Sequence, residues 1–115
     1  SFLERPNMLD MMQRADLVVS RAGLGFLTEI SYYAKPAILI PIPDSHQEEN
    51  AALFRENDAA RVLDQKRITA KELTDTILEL LKNESERQHL SQKVEGMMRR
   101  DGNEKIKEVI KRCIG

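Results

Sequence analysis

Two short polar stretches, each directly after an apolar run, hold the residues with chemistry to offer. The first is Arg21-Ala22-Gly23-Leu24-Gly25, followed by Phe26 and, about one helical turn into the next segment, by Glu29. Gly23 and Gly25 open backbone conformations closed to other residues and let a ligand approach the main chain. A helix starting here presents free N–H groups and the positive end of its dipole, which suits a phosphate or diphosphate. Arg21 adds positive charge. The same turn also serves as a plain strand-to-helix connection, and its residues alone leave both readings open. Glu29 stands among Phe26, Leu27 and Ile30. Its carboxylate can accept hydrogen bonds from two vicinal hydroxyls, as an acidic residue does with ribose in dinucleotide folds. The alternative is a surface glutamate placed favourably near a helix N-terminus.

The second stretch is Asp44-Ser45-His46-Gln47-Glu48-Glu49-Asn50. His46 and Gln47 fall in a first helical turn, where they can meet sugar hydroxyls or serve only as solvated residues behind a cap. No partner in the sequence orients His46 as a catalytic group. Asp44, His46 and Glu49 lack the spacing of a metal site.

These residues need elements to hold them. Short apolar runs alternate with helical periodicity, the pattern of parallel α/β units. Residues 7–14 read as a short helix with Met8, Leu9, Met11 and Met12 on its apolar side, and residues 16–20 as a buried strand. The turn 21–25 follows, then a helix over 26–33 closed by Lys35-Pro36. Residues 36–42 form an apolar second strand, ended by Pro41 and Pro43 because proline cannot donate to a ladder. Ser45-His46-Gln47-Glu48 matches a capping box for a helix to about residue 57. Residues 60–63 make a third strand. Thr69-Ala70-Lys71-Glu72 is a second capping box, with Leu73, Ile77 and Leu80 on one face. Ser85-Glu86-Arg87-Gln88 opens a further helix, broken at Asp101-Gly102-Asn103 before a last one carrying Ile106, Val109, Ile110 and Cys113. The fold class is α/β, a partial doubly wound, Rossmann-like parallel sheet of about three strands ending in helices. Its two polar turns then open on one rim, beyond the carboxyl ends of the first two strands.

Composition narrows the function classes. With 115 residues the chain is one domain at most, over 1–115, and 41% hydrophobic against 32% charged residues is ordinary for a globular protein. A net charge of -1 gives no electrostatic case for nucleic acid as a partner. One cysteine, Cys113, excludes an intrachain disulfide framework and a cysteine-based zinc site, and a reducing cytoplasm is the simplest home. No apolar run approaches the roughly 20 residues of a membrane span, and no secretory signal opens the chain. The Met8, Met11 and Met12 stripe reads as core packing, and Cys113 as a small core residue. Arg99, Arg100, Lys105, Lys107, Lys111 and Arg112 make a basic tail, but Asp101, Glu104 and Glu108 interrupt it as on an ordinary solvated helix face.

Taken in order, Ser20-Arg21-Ala22-Gly23, Thr28-Glu29, Pro36-Ala37-Ile38-Leu39-Ile40-Pro41, His46-Gln47 and Asn50-Ala51 form a series. It resembles the C-terminal domain of the MurG family, glycosyltransferases that add N-acetylglucosamine to undecaprenyl-linked muramyl-pentapeptide (lipid I) to make lipid II. The likeness runs from Phe2-Leu3, through Ala15-Asp16-Leu17-Val18-Val19, to the final helix. It implies the C-terminal half of a GT-B arrangement, binding UDP-N-acetylglucosamine without metal or other cofactor. By that resemblance Glu29 binds the ribose hydroxyls, and Leu24, Gly25 and Phe26 approach the diphosphate and sugar through backbone groups. Gly23 and Arg21 belong to the same turn. His46 and Gln47 sit at the N-acetylglucosamine hydroxyls, and Leu3 matches a position whose main chain pairs with uracil, although residues 4–7 are longer than the family's usual spacing. Two departures stand out. Phe26 replaces a small hydroxyl residue of many relatives, and His46 replaces a glutamine found in some.

The family's acceptor and diphosphate loops, its proposed base and its Gly-Gly-Ser-type loop have no counterpart in these 115 residues. The domain is therefore expected to be incomplete at its N-terminus, with no catalytic residue of its own. The isolated chain is expected to be inactive and its parent a hexosyltransferase. The lipid-linked acceptor would meet another domain, with the protein cytoplasmic or peripheral at the cytoplasmic face of the membrane. Two other functions fit the same residues: another UDP-sugar transferase, such as the catalytic subunit of a split dolichol-linked enzyme, and a non-catalytic α/β interaction module.

Overall fold

The computed structural model describes residues 15–99. Leu3, the helix expected over 7–14, the break at 101–103 and the last apolar stripe lie outside the described residues. Within them the chain runs β1 (Val18–Ser20), α1 (Leu24–Tyr33), β2 (Ala37–Leu39), α2 (His46–Glu56), β3 (Arg61–Val62), α3 (Ala70–Lys82) and α4 (Glu84–Arg99). The strands pair in parallel in the order β1-β2-β3, with Val19 opposite Ile38 and Leu39 opposite Val62. Each strand is shorter than its apolar run. The backbone bonds Val18 N–H to Pro36 O (3.0 Å) and Ile40 N–H to Ser20 O (2.9 Å) carry the ladder slightly past the strand ends. Pro41 has no N–H to continue it.

Strand periodicity divides the core in two. Ala37 and Leu39 face Leu27 and Ile30 of α1, Ala51 and Phe54 of α2, and Val94 and Met97 of α4. Ile38 faces the other way, into a cluster with Leu80 of α3 and Leu90 of α4, joined by Ile40, Leu63 and Ile77. Helices thus cover both faces of β2, whose three residues are fully buried. That is why its sequence is apolar without alternation.

The helix ends depart from the sequence reading in instructive ways. α1 begins at Leu24, two residues earlier than expected, with Gly23 as N-cap. It closes on Ala34 in the left-handed region (φ 52°), where Ala34 N–H bonds Ser31 O and Lys35 N–H bonds Ile30 O, before Pro36 forbids continuation. At α2, Ser45 Oγ accepts from Gln47 N–H at 3.1 Å. The expected reciprocal bond shifts by one residue: Glu48 Oε1 accepts from Asp44 N–H at 3.2 Å, with Asp44 itself left-handed (φ 56°). Thr69 caps α3 through Glu72 N–H, as its capping box predicts. α4 is capped by Asn83, not Ser85: Asn83 Oδ1 accepts from Glu86 N–H at 3.0 Å. Arg87 then reaches back to the carbonyls of Leu80 and Leu81, closing α3.

Candidate functional site

β1 and β2 end on one rim, and their two turns lie side by side there. The first turn leads into α1, whose first intrahelical bond is Leu27 N–H to Gly23 O at 3.0 Å. The N–H groups of Leu24, Gly25 and Phe26 therefore precede the helix's own ladder. Among the described residues no cap competes for them: Gly23 has no capping side chain, and the first turn holds no acidic residue. Leu24 and Phe26 are exposed, at 56% and 40%, and a Cβ on Gly25 would meet nothing within 4 Å. This is an open, electropositive helix end.

The glycines do not act as the sequence reading supposed. No glycine among the described residues has positive φ; Gly23 sits at φ -72°. The left-handed positions are Ala34, Asp44 and Asp58. Gly23 and Gly25 contribute space for close approach to the backbone and no special dihedral.

Glu29 is 5% exposed, on the buried stretch of α1 that includes Leu27, Thr28, Ile30 and Ser31. The surface-glutamate alternative is excluded. Burying a carboxylate costs free energy that a surface glutamate does not incur.

The second turn is fastened to the first by α2. Gln47 Oε1 accepts from Ala22 N–H at 3.2 Å and from Ile42 N–H at 3.1 Å, so one side chain spans both turns. Asn50 Nδ2 donates to Ala22 O at 3.0 Å. Both backbone groups of the buried Ala22 are thereby satisfied by α2 side chains. With its oxygen committed twice, Gln47 turns its amide nitrogen toward Gly23, where a Cβ would stand 3.7 Å away. Gln47 thus presents a donor to the rim. His46 does not converge: its side chain is 96% exposed and its Nδ1 is 3.9 Å from Glu49, itself 82% exposed.

Arg21 turns across the sheet end. Its Nη1 donates to Ile40 O at 3.2 Å and to Gln65 Oε1, in the loop between β3 and α3. The next residue, Lys66, places Nζ 3.2 Å from Asp44 Oδ2 in the second turn. The hydrogen bond to Asp44, and then its charge, raise the Lys66 pKa above the usual lysine value. An open cleft of about 490 Å³ lies beside Arg21 and Gln65, walled by Val19, Ser20, Ile40 and Thr69. Among the described residues no group of three or more His, Cys, Asp or Glu could hold a metal ion.

The structure therefore brings Gln47 against Gly23 at the start of the helix that carries Leu24, Gly25, Phe26 and Glu29, and leaves His46 in solvent. Sequence reasoning assigned no role to Asn50, although its place one turn after His46-Gln47 on the same helix carries a signal. For Gln65 no signal existed, since its contact spans 44 residues.

A parallel sheet with helices on both faces, and a glycine-capped helix opening beyond the first strand, defines a doubly wound α/β domain. Residues 4–112 match the model of the glycosyltransferase family 28 C-terminal domain, and the chain belongs to that family. It is 41% identical over 111 residues to the UDP-N-acetylglucosamine--N-acetylmuramyl-(pentapeptide) pyrophosphoryl-undecaprenol N-acetylglucosamine transferase of Crocosphaera subtropica, covering 94% of this chain and 32% of that protein. The transferase of the same name from Rickettsia felis is 39% identical over 111 residues, covering 94% of this chain and 31% of that protein. The crystal structure of Acinetobacter baumannii MurG superposes with a TM-score of 0.70 at 23% identity, over 91% of this chain and 31% of that one, which shows the fold. The chain spans about a third of the length of the curated relatives it matches.

Proposed function

We propose that this chain is the donor-binding part of a glycosyltransferase that moves N-acetylglucosamine from UDP-N-acetylglucosamine to an undecaprenyl-linked acceptor, lipid I, in peptidoglycan synthesis. The observation that carries it is the rim itself: three amides at the uncapped start of α1, with the Gln47 amide at Gly23 and Glu29 one turn along. The donor's diphosphate lies against the amides of Leu24, Gly25 and Phe26, favoured by the helix dipole. Glu29 holds the ribose hydroxyls. Gln47 donates to the sugar, His46 joins it only on swinging in from solvent, and Leu3 pairs with uracil through its main chain. Arg21 contributes charge to the first turn without direct contact.

Such a site stabilises the charge that grows on UDP as it leaves and fixes the anomeric carbon in line. The base that takes the acceptor's proton comes from another part of the whole protein, so the 115-residue chain alone is inactive. Among the described residues no helix is long and apolar enough to cross a membrane, and contact with the cytoplasmic membrane face is peripheral in this reading.

Calorimetry of the whole protein with UDP and UDP-N-acetylglucosamine tests the proposal. Binding of both is expected, with Glu29→Ala weakening each by about tenfold or more. A wild-type protein that binds no uridine nucleotide would overturn the reading and leave a non-catalytic module in its place.

A further inference from the structure

We infer that Gln65, in the loop between β3 and α3, is a positioning residue for the donor site, an inference that rests on the donor-binding reading above. Gln65 and Lys66 reach in different directions from adjacent positions. Gln65 Oε1 accepts from Arg21 in the first turn, and Lys66 Nζ meets Asp44 Oδ2 in the second at 3.2 Å. One loop thus contacts both site turns.

The arrangement around Arg21-Ala22 shows why the first of these contacts matters more. Ala22 is fixed from the α2 side by Gln47 and Asn50. Arg21, its neighbour, is fixed by Ile40 O at the end of β2 and by Gln65. Ile40 O and Gln65 Oε1 between them set the direction of the guanidinium. Without Gln65 the guanidinium keeps, among the described residues, Ile40 O as its acceptor and pivots about it. The turn that carries the Leu24, Gly25 and Phe26 amides begins at the next residue, so a freed Arg21 loosens the start of that turn. The Lys66–Asp44 pair is 62% and 82% exposed and exchanges readily with water, so it steadies the loop without setting its position.

The test is steady-state kinetics of the whole protein carrying Gln65→Leu or Gln65→Glu, with melting curves for each. Gln65→Leu removes the acceptor at similar size. Gln65→Glu keeps an acceptor oxygen for Arg21 and adds a charge that pairs with it. The donor KM is expected to rise about fivefold in Gln65→Leu with kcat within about twofold of wild type, and to return to within about twofold of wild type in Gln65→Glu. Gln65 is exposed, so both melting temperatures are expected within about 2 °C of wild type. A Gln65→Leu enzyme with unchanged KM, a Gln65→Glu enzyme that fails to restore it, or a fall in melting temperature that accounts for the kinetic change would each overturn the inference alone. A wild-type protein without uridine-nucleotide binding removes the donor-site reading and this inference together.

Discussion

Gln47 makes the sharpest case, because its two ends serve different purposes. Its Oε1 holds two backbone N–H groups, and its Nε2 faces the Gly23 turn. In Gln47→Ala the N–H of Ala22, a residue with no exposed surface, loses its acceptor. An orphaned buried donor costs about 1–3 kcal/mol. Ile42 is 45% exposed, so water replaces Gln47 at its N–H for roughly 0.5 kcal/mol. The sum is about 2 kcal/mol of destabilisation. For a domain of this size the urea slope is ~1–1.5 kcal/mol/M, so the midpoint of unfolding followed by circular dichroism should fall by about 1.5 M. Gln47→Glu keeps both acceptor bonds, and its stability should stay within about 0.5 kcal/mol of wild type. It exchanges the donor at the rim for a negative charge, so affinity for UDP-N-acetylglucosamine should fall about tenfold or more. Equal destabilisation by the two substitutions, or none by either, would refute the assignment of separate tasks to the two ends of this side chain.

Phe54→Ala empties a site that is 1% exposed at the centre of the larger core cluster and should cost about 3–5 kcal/mol, read as loss of the cooperative thermal transition at 37 °C. Ala34→Gly relieves a left-handed alanine at the end of α1 and should raise stability by ~0.5–1 kcal/mol in the same urea assay, in spite of the flexibility glycine adds to the unfolded chain. Nitrogen-detected NMR should show the Lys66 amine titrating above ordinary lysines, and Asp44→Asn should bring it back. Because that pKa is raised in the folded state, the Lys66 contribution is present below the unfolded lysine value. It disappears as pH climbs through the folded one, so only strongly alkaline titrations of stability should register it.

Much of this was legible because it is written locally. The apolar run 37–39, the proline stops and the Thr69 cap are consequences of nearest neighbours, and the sequence predicts each of them. Even the two site turns announce themselves by following apolar runs. What escaped has two physical origins. Caps are competitions among adjacent residues, and Asn83 outcompeted Ser85 for α4 by a choice of backbone geometry that composition does not encode. The clamps are the second kind: Gln47 and Asn50 hold Ala22, and Gln65 holds Arg21, only after three strands have come into register. A polar residue in a loop looks alike whether it faces solvent or a partner 44 positions away. The burial of Glu29 belongs here too, since the turn beside it favoured both an inner and an outer glutamate.

Gly25 offers a way to tell drift from use. Its backbone sits at ordinary negative φ, and a methyl group there would touch nothing within 4 Å. Alanine would even favour the helix by about 1 kcal/mol. A library screened for folding alone should therefore accept, and mildly enrich, larger residues at this position. A library screened for donor use should reject them. Any lineage that kept the fold but abandoned the ligand would be expected to fill position 25 among its first changes, which makes that position a molecular clock for disuse.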